Sequence, residues 1–312
     1  MDDLQIVPRF DDSLTYIYAE HVRVDRWESG IAFWDKEGIT EVPAAAVRVL
    51  MLGPGSTISH AAIEVMADNN CLVIWCGEEN VRFYAHGIGG TRSAARLLHQ
   101  ARLVSDTAAR ERVVRALYTK RFSETPPAES TVEQLRGMEG QRVREAYRRL
   151  SAETGVAWNG RFYDRGNWDR ADPVNRAISA ANSCLYGLCH AAILSAGYSP
   201  ALGFIHTGKQ LSFVYDVADL YKTDLALPIA FAAAARNASD LERQVRLAMR
   251  DAFRTSRLLG RILPDLRAVL SDETPEDDLA VYDDDPARPA ELWAPPEEQA
   301  HEESDTDDRA DS

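Results

Sequence analysis

The sequence has few of the features that mark secreted or membrane proteins. Only 4 of its 312 residues are cysteine, and no segment is repeated along the chain. The first residues, Met-Asp-Asp-Leu-Gln, have neither the basic nor the apolar region of a signal peptide. No apolar run is expected to reach the length of a membrane span. We therefore expect a cytoplasmic protein, with a chain long enough for two domains of ordinary size.

The four cysteines form two pairs with the same spacing, Cys71 with Cys76 and Cys184 with Cys189. Residues five apart lie about 140° apart on a helix and on opposite faces of a strand. Neither pair can therefore converge on a metal ion. We predict that all four are small buried side chains in a reducing compartment.

The net charge of −14 argues at first against DNA binding, but it is concentrated at one end of the chain. Residues 272–312 contain 17 acidic residues and two arginines, a net charge of −15, which leaves +1 for residues 1–271. Residues 92–150 carry 13 Lys or Arg and 7 acidic residues. A local basic surface of this kind can bind phosphates. A solvated helix surface with ion pairs would have the same composition.

The hydrophobic pattern changes near residue 90 and predicts an α+β fold. Residues 1–88 are rich in β-forming segments with one inserted helix, capped by Ser59 and ending at Asn70, which predicts a β-sandwich-like domain. Glycines at 89–92 predict a hinge. Residues 93–270 have the 3.6-residue period of an all-α domain. Its predicted helices span 93–121, 131–154, 174–196, 212–223, 226–236 and 240–269.

The chain ends in an acidic tail, residues 271–312, which contains five prolines and few large apolar side chains. Such a segment cannot bury enough apolar surface to offset the entropy lost on ordering. We predict that the acidic tail is disordered.

Glu139 is a carboxylate on the apolar face of a predicted helix. Ser130 and Glu133 have the spacing of a capping box that would start this helix, and a second capping box, Ser239 with Glu242, would start the last one. The residues on the same face as Glu139 are apolar: Leu135, Val143, Ala146 and Leu150. A carboxylate there needs a partner. The spacing leaves open whether this partner is a metal ion or an arginine such as Arg142.

One histidine and two aspartates follow in a short segment, at His206, Asp216 and Asp219. The two aspartates are three residues apart in a predicted helix, so we expect their carboxylates on one face. Imidazole and carboxylate groups that point into one pocket can bind a divalent cation and leave room for phosphate oxygens. Helix capping by the aspartates is the alternative that spacing alone leaves open.

Three segments around these residues resemble the signatures of the CRISPR-associated protein one family, the integrase subunit of CRISPR adaptation. They are QLRGMEG at 134–140, YSPALGFIHTGK at 198–209 and SFVYDVADLYK at 212–222. The branch resembled is type I, subtype E, and the resemblance covers about residues 4–270.

This resemblance implies a metal-dependent DNA integrase that joins the 3′-hydroxyl ends of captured spacer DNA to the repeat array by transesterification, with associated endonuclease activity. It implies a Mg²⁺ or Mn²⁺ ion bound by Glu139, His206 and Asp219, with Asp216 as a further catalytic residue that orients the site or completes it when DNA is bound. The alternatives are a stand-alone metal-dependent nuclease on branched DNA in repair and a catalytically idle scaffold that binds DNA ends.

The resemblance also implies partners and DNA contacts. The partners are DNA, a homodimer mate contacted through the β domain, and the CRISPR-associated protein two, with four copies of this chain around one partner dimer. The implied contacts comprise four aromatic residues, which could instead pack in a core, and seven basic residues, which could instead form surface ion pairs. They are Tyr163, Trp168, Tyr186, Tyr215, Arg82, Arg110, Arg136, Lys209, Lys222, Arg243 and Arg246.

Overall fold

The structure, a computed structural model, describes most of the chain up to Glu273. The described residues are 16–28, 30–69, 71–77, 83–87, 93–122, 124–161, 172–236 and 240–273. The predicted hinge at 89–92 and nearly all of the acidic tail lie outside them, so the predicted domain boundaries stay predictions.

The strands in the described residues form two four-stranded sheets, with order β1-β5-β7-β8 and β4-β3-β2-β6. In the first sheet β1, β5 and β7 are parallel and β8 is antiparallel to β7. In the second, β3 pairs antiparallel with β2 and β4, and β6 runs parallel to β2. The strands are Tyr16–Ala19 (β1), Arg23–Trp27 (β2), Gly30–Trp34 (β3), Ile39–Pro43 (β4), Val49–Leu52 (β5), Thr57–Ile58 (β6), Leu72–Cys76 (β7) and Phe83–His86 (β8).

Helices make up the second half of the fold, which confirms the predicted α+β class. The inserted helix among the strands is His60–Asp68 (α1), and the Ser59 hydroxyl accepts a hydrogen bond from the Ala62 N–H, as predicted for its cap. The others are Ala95–Ser105 (α2), Thr107–Arg121 (α3), Val132–Thr154 (α4), Pro173–Ser195 (α5), Ser212–Ala218 (α6), Leu227–Ala235 (α7), Leu241–Thr255 (α8) and Leu258–Leu270 (α9).

Two helices predicted as continuous are each broken by a local backbone feature. The predicted helix 93–121 is two helices, because Asp106 is extended and its carboxylate accepts from the Ala109 N–H, which starts a new helix. The predicted helix 240–269 breaks at Arg257, whose φ of 49° is left-handed. Periodicity alone could not show either break because the apolar spacing continues across it.

Three predicted helix ends were also wrong in detail. The capping box of α4 is formed by Thr131 and Gln134 rather than by Ser130 and Glu133. The predicted helix 212–223 ends at Ala218, and a π-helical turn at Lys222–Ala226 leads into α7. Asp240, not Ser239, precedes α8 and makes no side-chain cap; Ser239 itself lies outside the described residues.

Helix α5 is the central element of the core. It is long and apolar enough to cross a membrane by length and composition alone, contrary to our expectation. However, 78% of its most apolar stretch is buried inside the protein. It packs against α6, α7, α8, α9 and β7, and these contacts account for its apolar character.

One hydrophobic core joins the first sheet to the helices. Val49, Met51, Leu72 and Ile74 belong to the same buried cluster as α5 to α9, while α1 and the second sheet enclose a smaller cluster. All four cysteines are buried, as predicted, and none forms a disulfide within the described chain. Burial raises the pKa of the Cys71 and Cys76 thiols to about 12, which makes them unreactive.

Candidate active site

Asp216 is a fully buried carboxylate that holds the loop before α6. Its Oδ2 accepts hydrogen bonds from the main-chain N–H groups of Phe204 and Ile205, at 2.6 and 3.1 Å. Its Oδ1 accepts from the N–H of His206 at 2.9 Å and lies 2.7 Å from Nδ1 of the same residue. Because an ionised carboxylate only accepts hydrogen bonds, Nδ1 carries the proton and Nε2 is the ring nitrogen left to bind another group.

The loop that carries His206 is braced from both ends. Nε and Nη2 of Arg110 donate to the Phe204 carbonyl at 3.1 and 2.8 Å. Ser212 Oγ accepts from the Lys209 N–H and donates to the Lys209 carbonyl. A side chain at Gly203 would collide with the His206 carbonyl oxygen, so only glycine fits there. The half-exposed imidazole of His206 is therefore held in one orientation by the fold.

Glu139 on α4 and Asp219 at the end of α6 lie close to the same arginine. Arg121, the last residue of α3, places Nη1 3.7 Å from Glu139 Oε1 and 3.6 Å from Asp219 Oδ2. Its side chain is only 3% exposed. The two predicted metal ligands thus meet around a buried guanidinium group.

Each of these two carboxylates also contacts a second cation. Arg142 donates to Glu139 through Nε at 2.9 Å and Nη2 at 3.1 Å, the arginine partner that the sequence left open. Lys222 Nζ lies 3.5 Å from Asp219 Oδ1. Two carboxylates and three cationic side chains therefore form one ion-pair network.

The three predicted metal ligands are not gathered around one point in this arrangement. Across the described ranges, no three His, Cys, Asp or Glu side chains are placed to hold a metal ion. The donor set nevertheless fits a hard divalent cation. Glu139 and Asp219 both face the positively charged guanidinium group of Arg121. A metal-binding histidine usually donates its other ring N–H to a carboxylate, as Nδ1 of His206 does to Asp216.

Four of the predicted DNA contacts surround this site. The Tyr215 ring lies 5.8 Å from the His206 ring and 5.1 Å from the Tyr186 ring, and Lys209 Nζ is 5.9 Å from the centre of Tyr215. Lys222 contacts Asp219. Burial, and next the charge of Asp219, raises the pKa of Tyr186 above its usual range, so its hydroxyl stays protonated.

The other predicted DNA contacts have different surroundings. Arg110 turns inward to the Phe204 carbonyl, whereas Arg136 is exposed on α4. Arg243 is exposed on α8 and lies 3.7 Å from Asp240, and Arg246 on the same helix is half-buried. Arg82, Tyr163 and Trp168 lie outside the described residues.

Sequence reasoning missed Arg121, although the chain carries a signal for it. Val114, Leu117, Tyr118 and Arg121 share the buried face of α3, so Arg121 is a charge on an apolar stripe, as Glu139 is on α4. Two opposite charges on two apolar stripes predict a buried pair.

The site coincides with a match to a known family. The family model described as CRISPR associated protein Cas1 matches residues 119–246, a range that includes Arg121, Glu139, His206, Asp216 and Asp219. The CRISPR-associated endonuclease Cas1 2 of Thermus thermophilus is 54% identical over 292 residues, which cover 93% of this chain and 90% of that relative. The chain belongs to the Cas1 family.

Other Cas1 proteins share both the sequence and the fold. The CRISPR-associated endonuclease Cas1 of Escherichia coli strain K12 is 47% identical over 261 residues, or 83% of this chain and 86% of that relative. The crystal structure of a TtCas1–DNA complex matches with a TM-score of 0.75 at 55% identity, and covers 85% of this chain and 99% of that one. The Cas1 fold is thus present along nearly all of the described chain.

Proposed function

We propose that this Cas1-family protein is a DNA integrase of CRISPR adaptation with associated endonuclease activity. It joins the 3′-hydroxyl ends of captured spacer DNA to the repeat array. The similar relatives are named endonucleases, and one similar structure is a complex with DNA. The observation that carries the proposal is the set of Glu139, Asp219 and the His206–Asp216 pair, which come from separate segments and lie beside Lys209, Lys222 and two tyrosines.

Glu139, His206 and Asp219 would bind a Mg²⁺ or Mn²⁺ ion, and Asp216 would fix the imidazole for that purpose. The nitrogen ligand suits Mn²⁺ at least as well as Mg²⁺. When bound, the ion would neutralise non-bridging phosphate oxygens and lower the pKa of the attacking hydroxyl.

The protein's own residues would place the DNA strand. Lys209 and Lys222 would contact phosphates near its end, and Tyr186 and Tyr215 would contact the terminal sugar or base; their position beside His206 and Asp219 supports these roles. Phosphoryl transfer depends mainly on such positioning and on electrostatic stabilisation. As partners we propose a homodimer mate and the CRISPR-associated protein two.

A strand-joining assay distinguishes this function from a stand-alone nuclease. We expect the protein, with its partner, to join a duplex that ends in a 3′-hydroxyl to repeat DNA, and not to join a 3′-deoxy duplex. EDTA should stop joining. Cleavage that does not depend on the 3′ end, without joining, would favour the nuclease instead.

Alanine variants test the assigned residues in the same assay. Glu139→Ala, His206→Ala and Asp219→Ala should each abolish joining and leave DNA binding largely intact, because affinity comes mostly from phosphate contacts. Glu153→Ala, which removes an exposed carboxylate on the same helix as Glu139, is the matched control and should join normally. Normal joining by any of the first three would contradict the assigned site, and DNA binding without joining by the wild type would favour the idle scaffold.

A further inference from the structure

Glu139 and Asp219 are both paired with cationic side chains of the ion-pair network, and these cations would compete with a metal ion for the two carboxylates. Arg121 and Arg142 contact Glu139, and Arg121 and Lys222 contact Asp219, all within 4 Å. The exposed Asp224 is a further anion at the edge, 3.7 Å from Arg142. The carboxylates are therefore compensated by groups of the protein itself.

The three cations differ in their freedom to move. Arg142 and Lys222 are partly exposed, so their long side chains can turn towards solvent or a phosphate, although Arg142 would also have to give up its hydrogen bond to Thr223 Oγ1 at 3.1 Å. Arg121 is buried, its Nη2 donates to the Asp216 carbonyl at 3.3 Å, and its guanidinium lies 5.3 Å from the Tyr118 ring. A guanidinium does not lose its proton in proteins. Arg121 is thus a permanent, fixed positive charge between Glu139 and Asp219.

A second positive charge at the same carboxylates is repelled by the first. The repulsion is strong here because Arg121 is shielded from water. Phosphate groups would relieve it, since they add negative charge and can attract Arg142 and Lys222 away from the carboxylates.

We infer that Arg121 is a positioning residue that makes divalent-cation binding at Glu139 and Asp219 weak until DNA is present. This inference rests on the proposed function and adds a condition to it: the protein binds cation and DNA together. The reason for such a device is chemical. Because the cation binds tightly only when DNA is present, the free protein does not carry a loaded site that is competent for cleavage.

The test measures Mn²⁺ binding directly, by the loss of the electron paramagnetic resonance signal of free Mn²⁺. Full-length protein is titrated alone and with a duplex that has a 3′ overhang, with Glu139→Ala plus the same duplex as the blank. We expect wild-type protein to bind Mn²⁺ at least tenfold more tightly with DNA. Arg121→Gln should bind at least tenfold more tightly than wild type without DNA, and DNA should add less.

Two further variants keep the test decisive. Arg142→Gln should strengthen Mn²⁺ binding without DNA by a smaller factor, because Arg142 can already move away; it replaces Arg121→Gln if circular dichroism shows that the latter is unfolded. Arg149→Gln, which breaks an exposed ion pair on the same helix, should bind as wild type does.

Equal Mn²⁺ affinity of wild-type protein with and without DNA would overturn the inference. So would a folded Arg121→Gln with wild-type affinity, because Arg121 would then serve the fold alone. In either case wild-type joining of 3′-hydroxyl ends would leave the proposed function standing. Failure of joining, together with no Mn²⁺ binding under either condition, would overturn both.

Discussion

The two aspartates at the end of α6 are three residues apart and have opposite surroundings. Asp216 is 0% exposed and accepts from three main-chain N–H groups and one imidazole. Asp219 is 22% exposed and contacts the side chains of Arg121 and Lys222. The shared helix face that the i,i+3 spacing predicts therefore does not give the two carboxylates the same partners.

Asp216 therefore shapes the site, whereas Asp219 is available to act in it. The donors to Asp216 belong to the backbone of one loop, so they cannot leave without unfolding that loop. The cations near Asp219 are side chains, and Lys222 can exchange the carboxylate for another anion. The i,i+3 spacing is therefore not sufficient to assign two carboxylates the same role.

The largest expected effect is on the stability of the Asp216 variant. Asp216→Ala leaves three main-chain N–H groups of residues 204–206, one buried and two partly buried, without an acceptor, and we expect it to lower the free energy of unfolding by roughly 3 kcal/mol. Asp219→Ala should change it by less than about 1 kcal/mol, because it also removes repulsion from Glu139. Urea denaturation followed by circular dichroism measures both. Equal losses would remove the distinction between the two aspartates.

This measurement must be made above pH 6.5, because a histidine on α5 also makes stability depend on pH. His190 on α5 is buried against Phe83, with ring centres 3.8 Å apart, and neither ring nitrogen has a hydrogen-bond partner among the described residues. Burial, and next the nearby His86, lowers the pKa of His190 to about 4.

The unfolded chain, with a histidine pKa of about 6.5, takes up this proton first as the pH falls. The contribution of His190 to stability is therefore complete above pH 6.5 and is lost progressively towards pH 4, by up to about 3 kcal/mol. His190→Leu should flatten the fall between pH 7 and 4.5 in urea titrations. An unchanged fall in this variant would assign the acid sensitivity to other groups.

The same comparison can be made between Arg110 and Arg136, because the family resemblance implies that both contact DNA. Arg110→Gln removes two hydrogen bonds to the Phe204 carbonyl, so we expect it to lower the free energy of unfolding by about 1.5–3 kcal/mol. Arg136→Gln, on an exposed surface, should leave stability unchanged and reduce the salt dependence of DNA binding by about one phosphate contact. Unchanged stability of Arg110→Gln would show that the loop does not depend on it.

The smallest effect is expected from the acidic tail. With a net charge of −15 it can compete with DNA as a tethered anion. The truncated chain should end at Glu273, because Asp272 is buried, contacts Arg96 at 3.3 Å and accepts a hydrogen bond from Tyr198. It should bind random duplex DNA more tightly than the full chain at low salt, and the two curves should converge as salt rises.

Superimposable curves at all salt concentrations would leave the tail a role in solubility alone. Weaker binding without the tail would show that it holds DNA or a partner. A chain ending at Leu270 is the matched control: it should be less stable than the chain ending at Glu273, since it lacks Asp272.

The sequence by itself determined the fold class, the family and the four candidate catalytic residues. Patterns of period two and 3.6 depend on burial of one face, so they identify strands before α2 and helices after it. The cap at Ser59 and the four buried cysteines follow from local chemistry. The segments around Glu139, His206 and Asp219 carry the resemblance to Cas1 because they are continuous in the chain.

Only the tertiary structure decided what each charged group contacts. Arg121, Glu139 and Asp219 come from three helices, and no local pattern fixes the distance between side chains that are 18 and 80 or more residues apart in the chain. Arg110 is directed at a carbonyl 94 residues away for the same reason. The breaks at Asp106 and Arg257 were missed for a different reason: each is a local backbone feature, a side-chain cap and a left-handed residue, that the apolar spacing does not show.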